Sequence, residues 1–224
     1  LKVKNLTLLN GEPLISYSIQ AAKSTGIFDR VVLNSDNDVF AKIAKRYGID
    51  FYLRPEKLGG SKITSDEVVF DFLLNNKCDI LVWVNPISPL QTSNEIKNVI
   101  NYFIKHDFNS LITVIDRQAH CLLDNKPINF LENIKFQKTQ DLSPVKEMVY
   151  SIMMWKASSF VDEMKLNGHA ILHGKVGYYT VDKFSALIVK TAEDLKLISQ
   201  VINSENQPDN DVEYDDLVSK IFDK

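Results

Sequence analysis

The residues from Phe184 to Ile198, FSALIVKTAEDLKLI, read as a buried strand that runs straight into a helix opened by Thr191 and Asp194. In α/β proteins ligands gather outside the carboxyl ends of strands, which would place Ile188, Val189 and Lys190 beside one. A lysine there can meet phosphate as a point charge. A second stretch, LRPEKLGGSKITSDE, ends a strand at Arg54 and opens a helix at Thr64, Ser65 and Asp66. Arg54 can grip phosphate or carboxylate through two parallel hydrogen bonds, and hydroxyls at a helix N-terminus can cradle an anion or a base. A surface arginine with an ordinary N-cap explains the same residues.

In WVNPISPLQT a buried strand ends in a rigid turn whose Asn85 and Ser88 would face the ligand crevice, although Pro and Ser favour turns in any case. Lys2 and Lys4 could neutralise a triphosphate or could simply be solvated. His169 and His173 stand four apart in GHAILHG, but the flanking glycines argue against a helix presenting them together to a metal.

These groups need a scaffold, and the chain supplies alternating helical and strand patterns. Helices are expected in PLISYSIQAAKSTG, NDVFAKIAKRYG, SDEVVFDFLLNN, TSNEIKNVINYFIKH, KASSFVDEMKLNG and TAEDLKLISQVI, with a Thr92 to Glu95 capping box on the fourth. Strands are expected in RVVLNSD, DFYL, DILVWVN, SLITVID, YSIMMW, KVGYYTV and FSALIV. Such alternation implies an α/β three-layer sandwich built on a mainly parallel sheet. Between Arg117 and Val145 the pattern fails. Leu122, Leu123, Ile128, Phe130, Leu131 and Phe136 there need cover, either from a second subunit or from the domain itself. The acidic stretch after Asn203 reads as a loop or frayed tail.

At 224 residues one domain with a substantial core is expected. A net charge of −3 gives no footprint for duplex DNA or an anionic membrane, so any bound nucleotide is small. No apolar run approaches the roughly 20 residues that span a bilayer. Cys78 and Cys121 show no pairing pattern and read as buried or incidental, which fits a reducing cytoplasm.

Taken in order, KNLTLLNGEPLISYSIQAAKSTGIFDRVVLNSD, IAKRYGIDFYLRPEKL, NPISPLQTSNEI, QDLSPV and TAEDL resemble the acylneuraminate (sialic acid) and 2-keto-3-deoxy sugar acid cytidylyltransferases. The resemblance implies a Rossmann-like nucleotidyltransferase fold in which CTP and a sugar acid give a CMP-sugar and pyrophosphate. It also implies a homodimer paired through an arm at residues 117–147, and a first strand and glycine-rich phosphate loop lying upstream of Leu1. Carried over, Lys4 and Asn5 would meet the phosphates, Arg54 the nucleotide, and Thr64 and Ser65 the cytosine. Asn85, Ser88 and Gln91 would form the nucleotide floor, with Asn85, Ile87 and Gln91 replacing the family's Gln, Thr and Arg.

Two departures are larger. Glu147 and Val149 stand where the family carries an Arg and an Asn. Ile188 and Lys190 stand where it carries two aspartates that help hold Mg2+, and neither offers the oxygen that Mg2+ requires. Catalysis would then rest on Lys4 and Lys190. The alternative is a catalytically silent homologue acting as a nucleotide-binding or dimeric scaffold.

Overall fold

A computed structural model describes residues 3–205 of the chain. Lys2 and the acidic stretch from residue 206 onward lie outside the described residues. The chain begins with β1 (Leu8–Leu9), β2 (Glu12–Pro13), α1 (Leu14–Thr25), β3 (Val32–Ser35), α2 (Val39–Tyr47) and β4 (Asp50–Leu53). Next come α3 (Ser65–Asn75), β5 (Ile80–Val84), α4 (Ser93–His106), β6 (Ser110–Arg117), β7 (Leu122–Leu123) and β8 (Lys126–Pro127). The chain then forms β9 (Val145–Lys156), α5 (Ala157–Asn167), β10 (Val176–Thr180) and α6 (Ala192–Glu205).

The helices stop where the sequence gives them reason to. Gly48 ends α2 at φ 61°, a left-handed geometry that glycine adopts without steric penalty, and its N–H reaches the carbonyls of Ala44 and Lys45. Asp107 ends α4 in the same region at φ 53°.

The principal sheet has the order β10-β6-β9-β5, and β3 pairs with β4 in a separate parallel ribbon. β10 and β6 are parallel, while β9 runs against both β6 and β5. The sheet is therefore mixed, with one reversed strand at its centre. On one face, Val69 and Phe72 of α3 and Phe160 of α5 cover Ile112, Met153 and Trp155. On the other, Ile96, Val99 and Phe103 of α4 cover Leu111, Ile152 and Met154. Helices on both faces make the expected three layers, and each fully buried Leu, Ile or Phe contributes about 1.5–3 kcal/mol. Trp83 of β5 and Trp155 of β9 meet edge to face, with ring centroids 6.4 Å apart.

The ladder between β6 and β9 is broken by a bulge. Ile112 faces Met153 and Val114 faces Met148, so the stretch from Val149 to Ile152 shares Thr113 as its counterpart. The buried Thr113 hydroxyl fastens that stretch. Its Oγ1 lies 2.9 Å from Ser151 Oγ, donates to the Ile152 carbonyl at 3.1 Å and accepts from the Ile152 N–H at 3.0 Å. Tyr150, within the bulge, has a φ of +56°.

Two expectations are corrected. FSALIV is not a strand: Asp182 Oδ1 accepts the Phe184 N–H at 2.7 Å, and the Ala186 N–H reaches the Asp182 carbonyl at 3.0 Å. This side-chain turn competes with ladder pairing, and the apolar run continues as irregular backbone that buries Val189. Of the two readings of the cysteines, the buried one is overturned, since Cys78 is exposed and Cys121 is half-buried, and the incidental one stands untouched. In the 117–145 segment β7 and β8 form a hairpin, turned by Asp124 and Asn125 at positive φ.

Candidate functional site

Two polar groups lie at the ends of strands and loops where the sequence places its candidates. The first is centred on Arg54, just beyond β4. Its Nη2 donates to Asp36 Oδ1 at 2.7 Å, and its Nη1 reaches the Asn34 carbonyl at 3.2 Å and Asn34 Oδ1 at 3.3 Å. The Arg54 side chain is 17% exposed, and its Nε is buried without a partner among the described residues. A buried N–H without a partner is costly, which makes Nε a ready donor to an incoming acceptor. Gly59 approaches so closely that a Cβ there would lie 1.9 Å from Asp36 Oδ2. Asp36, Asn34 and Gly59 were not singled out from sequence, although Asn34 and Asp36 end the quoted RVVLNSD.

The second group joins three distant stretches. Lys4 Nζ donates to the Val189 carbonyl at 3.3 Å, and the Val189 N–H reaches the Ile87 carbonyl at 2.7 Å. Ser88, fully buried, donates its hydroxyl to the Ser185 carbonyl. Asn85 Oδ1 accepts the Ile87 N–H at 3.3 Å, and the Asn85 N–H pairs with the Ser151 carbonyl at 2.8 Å. Lys4, the Asn85–Gln91 turn and the residues before Lys190 are thus one assembly. Asn5 sits beside Lys4 in a short 3-10 turn, half-buried. Among the described residues no hydrogen bond connects this assembly to the Arg54 group.

Other candidates are used by the fold. Thr64 caps α3: its Oγ1 accepts the Glu67 N–H at 3.3 Å and donates to Glu67 Oε2 at 2.9 Å, while Ser65 is exposed. The exposed Thr64 N–H and hydroxyl hold the Glu67 carboxyl below its usual range. Gln91 is 3% exposed and turns its amide to Glu95 and Ser185, so it supports the turn from behind. Glu95 therefore does not close the Thr92 capping box. Thr92 still accepts the Glu95 N–H at 3.2 Å, but Glu95 Oε1 accepts the Asp182 N–H at 2.6 Å. His173 is buried between Ser159 Oγ and the Ala170 carbonyl, at 2.8 and 2.6 Å, and belongs to the core. A cavity of about 570 Å3 is lined by Gln91 together with Tyr17, Leu90, Glu95, Tyr179 and Phe184.

The donor set at the Lys190 tip does not suit Mg2+. Ile188 and Lys190 bring no side-chain oxygen. Asp194 Oδ2 accepts from the Lys190 N–H at 2.9 Å, the Thr191 N–H at 2.7 Å and the Thr191 hydroxyl at 3.0 Å. The backbone N–H of Lys190, then that of Thr191, hold the Asp194 carboxyl below the usual aspartate range. Asp194 is the helix cap expected from the sequence. At the other family positions, Glu147 pairs with Arg117 at 2.6 Å and Val149 is buried. In these two separate groups Lys4 Nζ and the unpartnered Arg54 Nε supply cationic donors suited to an anion.

Residues 1–185 match the family model described as cytidylyltransferase. The chain is similar to the N-acylneuraminate cytidylyltransferase of Escherichia coli, 24% identical, with 100% of this chain and 54% of that protein aligned. It is also similar to the post-translational flagellin modification protein B of Campylobacter coli, 25% identical over 92% of this chain and 90% of that protein. Among solved structures it resembles CMP:2-keto-3-deoxy-manno-octonic acid synthetase complexed with CTP, with a TM-score of 0.68 and 11% identity, covering 92% of this chain and 93% of that one. The chain spans about half the length of the acylneuraminate relatives it matches.

Proposed function

Because the chain belongs to the cytidylyltransferase family, we propose that it transfers CMP from CTP to a 2-keto-3-deoxy, sialic-acid-like sugar acid. The observation that carries this reading is the Lys4 to Val189 bond, which sets one lysine against the residue preceding another, Lys190. Two cations beside the Asn85–Gln91 turn suit a triphosphate.

In the reaction a hydroxyl oxygen of the acceptor bonds to the α-phosphorus of CTP. The bond from that phosphorus to the bridging oxygen breaks, and pyrophosphate leaves with the electron pair. The acceptor proton passes to solvent. Lys4 and Lys190 would offset the charge that builds on the phosphates, with Asn5 beside them and Arg54 orienting the nucleotide. Asn85, with Thr64 and Ser65 at the α3 N-terminus, would contact the nucleoside, while Ser88 and Gln91 hold the turn in place. No step is assigned to Mg2+.

The reading extends to a single nucleotidyltransferase domain that pairs as a homodimer through the 117–147 arm. Support comes from Leu123, Leu131 and Phe136, which are 65%, 70% and 75% exposed in the single chain. Among the described residues no helix is long and apolar enough to cross a membrane. A cytoplasmic location would bring the enzyme to its CTP.

Pyrophosphate release is the test, using CTP, Mg2+ or Mn2+ and a panel of 2-keto-3-deoxy sugar acids. Release that requires both substrates is the expected result. The missing aspartates give a silent homologue its support, and CTP binding without turnover on every acceptor would establish that reading. Neither binding nor turnover would overturn both.

A further inference from the structure

Neither Lys4, Arg54 nor Lys190 lines the cavity of about 570 Å3 that Gln91 shares with Glu95 and Asp182. Gln91 is 3% exposed, and its Nε2 donates to Glu95 Oε2 and lies 3.5 Å from Ser185 Oγ. An N–H must face that carboxylate, so the amide orientation is fixed and Oε1 is the atom left over. Oε1 is buried without a partner among the described residues, and a buried acceptor of this kind is costly until a donor reaches it. The charge on the cavity wall is negative. Among the described residues the Glu95 carboxylate accepts from Gln91 and from the Asp182 N–H alone, and the Asp182 carboxylate from the Phe184 N–H alone. Neither carboxylate has an ion-pair partner among those residues. Tyr179 and Phe184 add aromatic surface, and Phe184 already carries Lys183 Nζ 4.9 Å from its ring centroid.

We propose that this cavity is a binding site for a small organic cation carrying an ammonium or guanidinium group. The N–H donors of such a ligand satisfy Gln91 Oε1 and the open lone pairs of Glu95 and Asp182, while its charge suits the Phe184 and Tyr179 rings. An anion is the poorer occupant although α4 begins here, because Thr92 already takes the Glu95 N–H and two carboxylates line the cavity. A metal ion is poorer too, since it takes several oxygen ligands and the described residues hold no cluster of three metal-ligating side chains. The site does not rest on the CMP-transfer reading, which assigns neither these carboxylates nor these rings to CTP or the acceptor.

The test is calorimetry without CTP on wild type, Glu95→Gln and Asn98→Lys, with putrescine and agmatine as probes and acetate as the anionic control. Wild type is expected to bind at least one of the two cations with a Kd of about 1 mM or tighter, and acetate more weakly than that cation. Glu95→Gln keeps an acceptor but loses the charge, and should weaken the binding at least about tenfold. Asn98 lines the cavity three residues beyond Glu95 on α4, so Asn98→Lys brings a tethered ammonium to the same carboxylate and should abolish probe binding. Asn98 is exposed, so this variant still decides the question where Glu95→Gln fails to fold. Equal affinity of wild type and either folded variant overturns the site, as does binding of neither cation or tighter binding of acetate. Pyrophosphate release is assayed separately: its absence removes the CMP-transfer reading and leaves the cation site standing.

Discussion

The side-chain amine of Lys4 lies 3.3 Å from the carbonyl oxygen of Val189, 185 positions further along the chain. That bond places the amine on the strip that continues to Lys190. Lys4→Met keeps the length of the side chain and removes the charge. It is expected to weaken CTP binding at least tenfold, read by titration, and to change unfolding free energy by less than about 1 kcal/mol, since one partly exposed bond is lost.

Gly59 sits against the Asp36 carboxylate, leaving no room for a side chain. Gly59→Ala must displace Asp36 and so loosen Arg54, a guanidinium held by two residues of the β3 tip. Nucleotide affinity is expected to fall in Gly59→Ala and in Arg54→Lys alike, because a lysine cannot reproduce the forked geometry. Arg54→Lys should also lose about 1–2 kcal/mol in denaturant unfolding, with Asp36 less well paired.

Two groups give the stability opposite pH limits. Burial, followed by the hydrogen bond to Asp71 at 2.9 Å, pushes the Tyr52 phenol up to about 12. Its contribution is complete below the unfolded value of about 10 and is lost as pH rises through 12. Asp194 is lowered, so its contribution is complete above the unfolded value of about 3.9 and is lost as pH falls through the folded one. Tyr52→Phe should remove the alkaline loss, and Asp194→Asn should blunt the acid one, both followed by thermal melts across pH.

Phe136 lies 4.2 Å, centroid to centroid, from the His120 ring in a stacked pair, yet it is 75% exposed. In a dimer paired through the arm, Phe136→Glu would bury a charge without a partner. Light scattering at micromolar concentration is expected to show a dimer for wild type and a monomer for this variant. A wild-type monomer would remove the arm from the account.

The helices were legible because spacing and caps repeat within a few residues: Phe40, Ile43 and Ala44 are inward as the period requires, and Gly48 ends the turn. FSALIV misled because its apolar residues signal burial, which Val189 satisfies without a ladder partner. The reversal of β9 was hidden for a related reason, since strand direction depends on pairing across the sheet. Lys4, Arg54 and Asn85 stand in short motifs and could be named from sequence. The partners that orient them, Asp36, Ser151 and Val189, are brought together only by tertiary folding. Tyr150 carried no sequence signal, because its distinction is a backbone angle.

Trp83 and Trp155, the two tryptophans of the chain, meet on the strand pair that ends at Asn85 and the bulge. The indole emission of these residues therefore arises from one neighbouring pair, set a few residues behind Asn85. The protein consequently carries a native optical gauge. A shift of β5 against β9 alters the environment of both rings together, so a movement of this strand pair can be followed without a dye and without turnover.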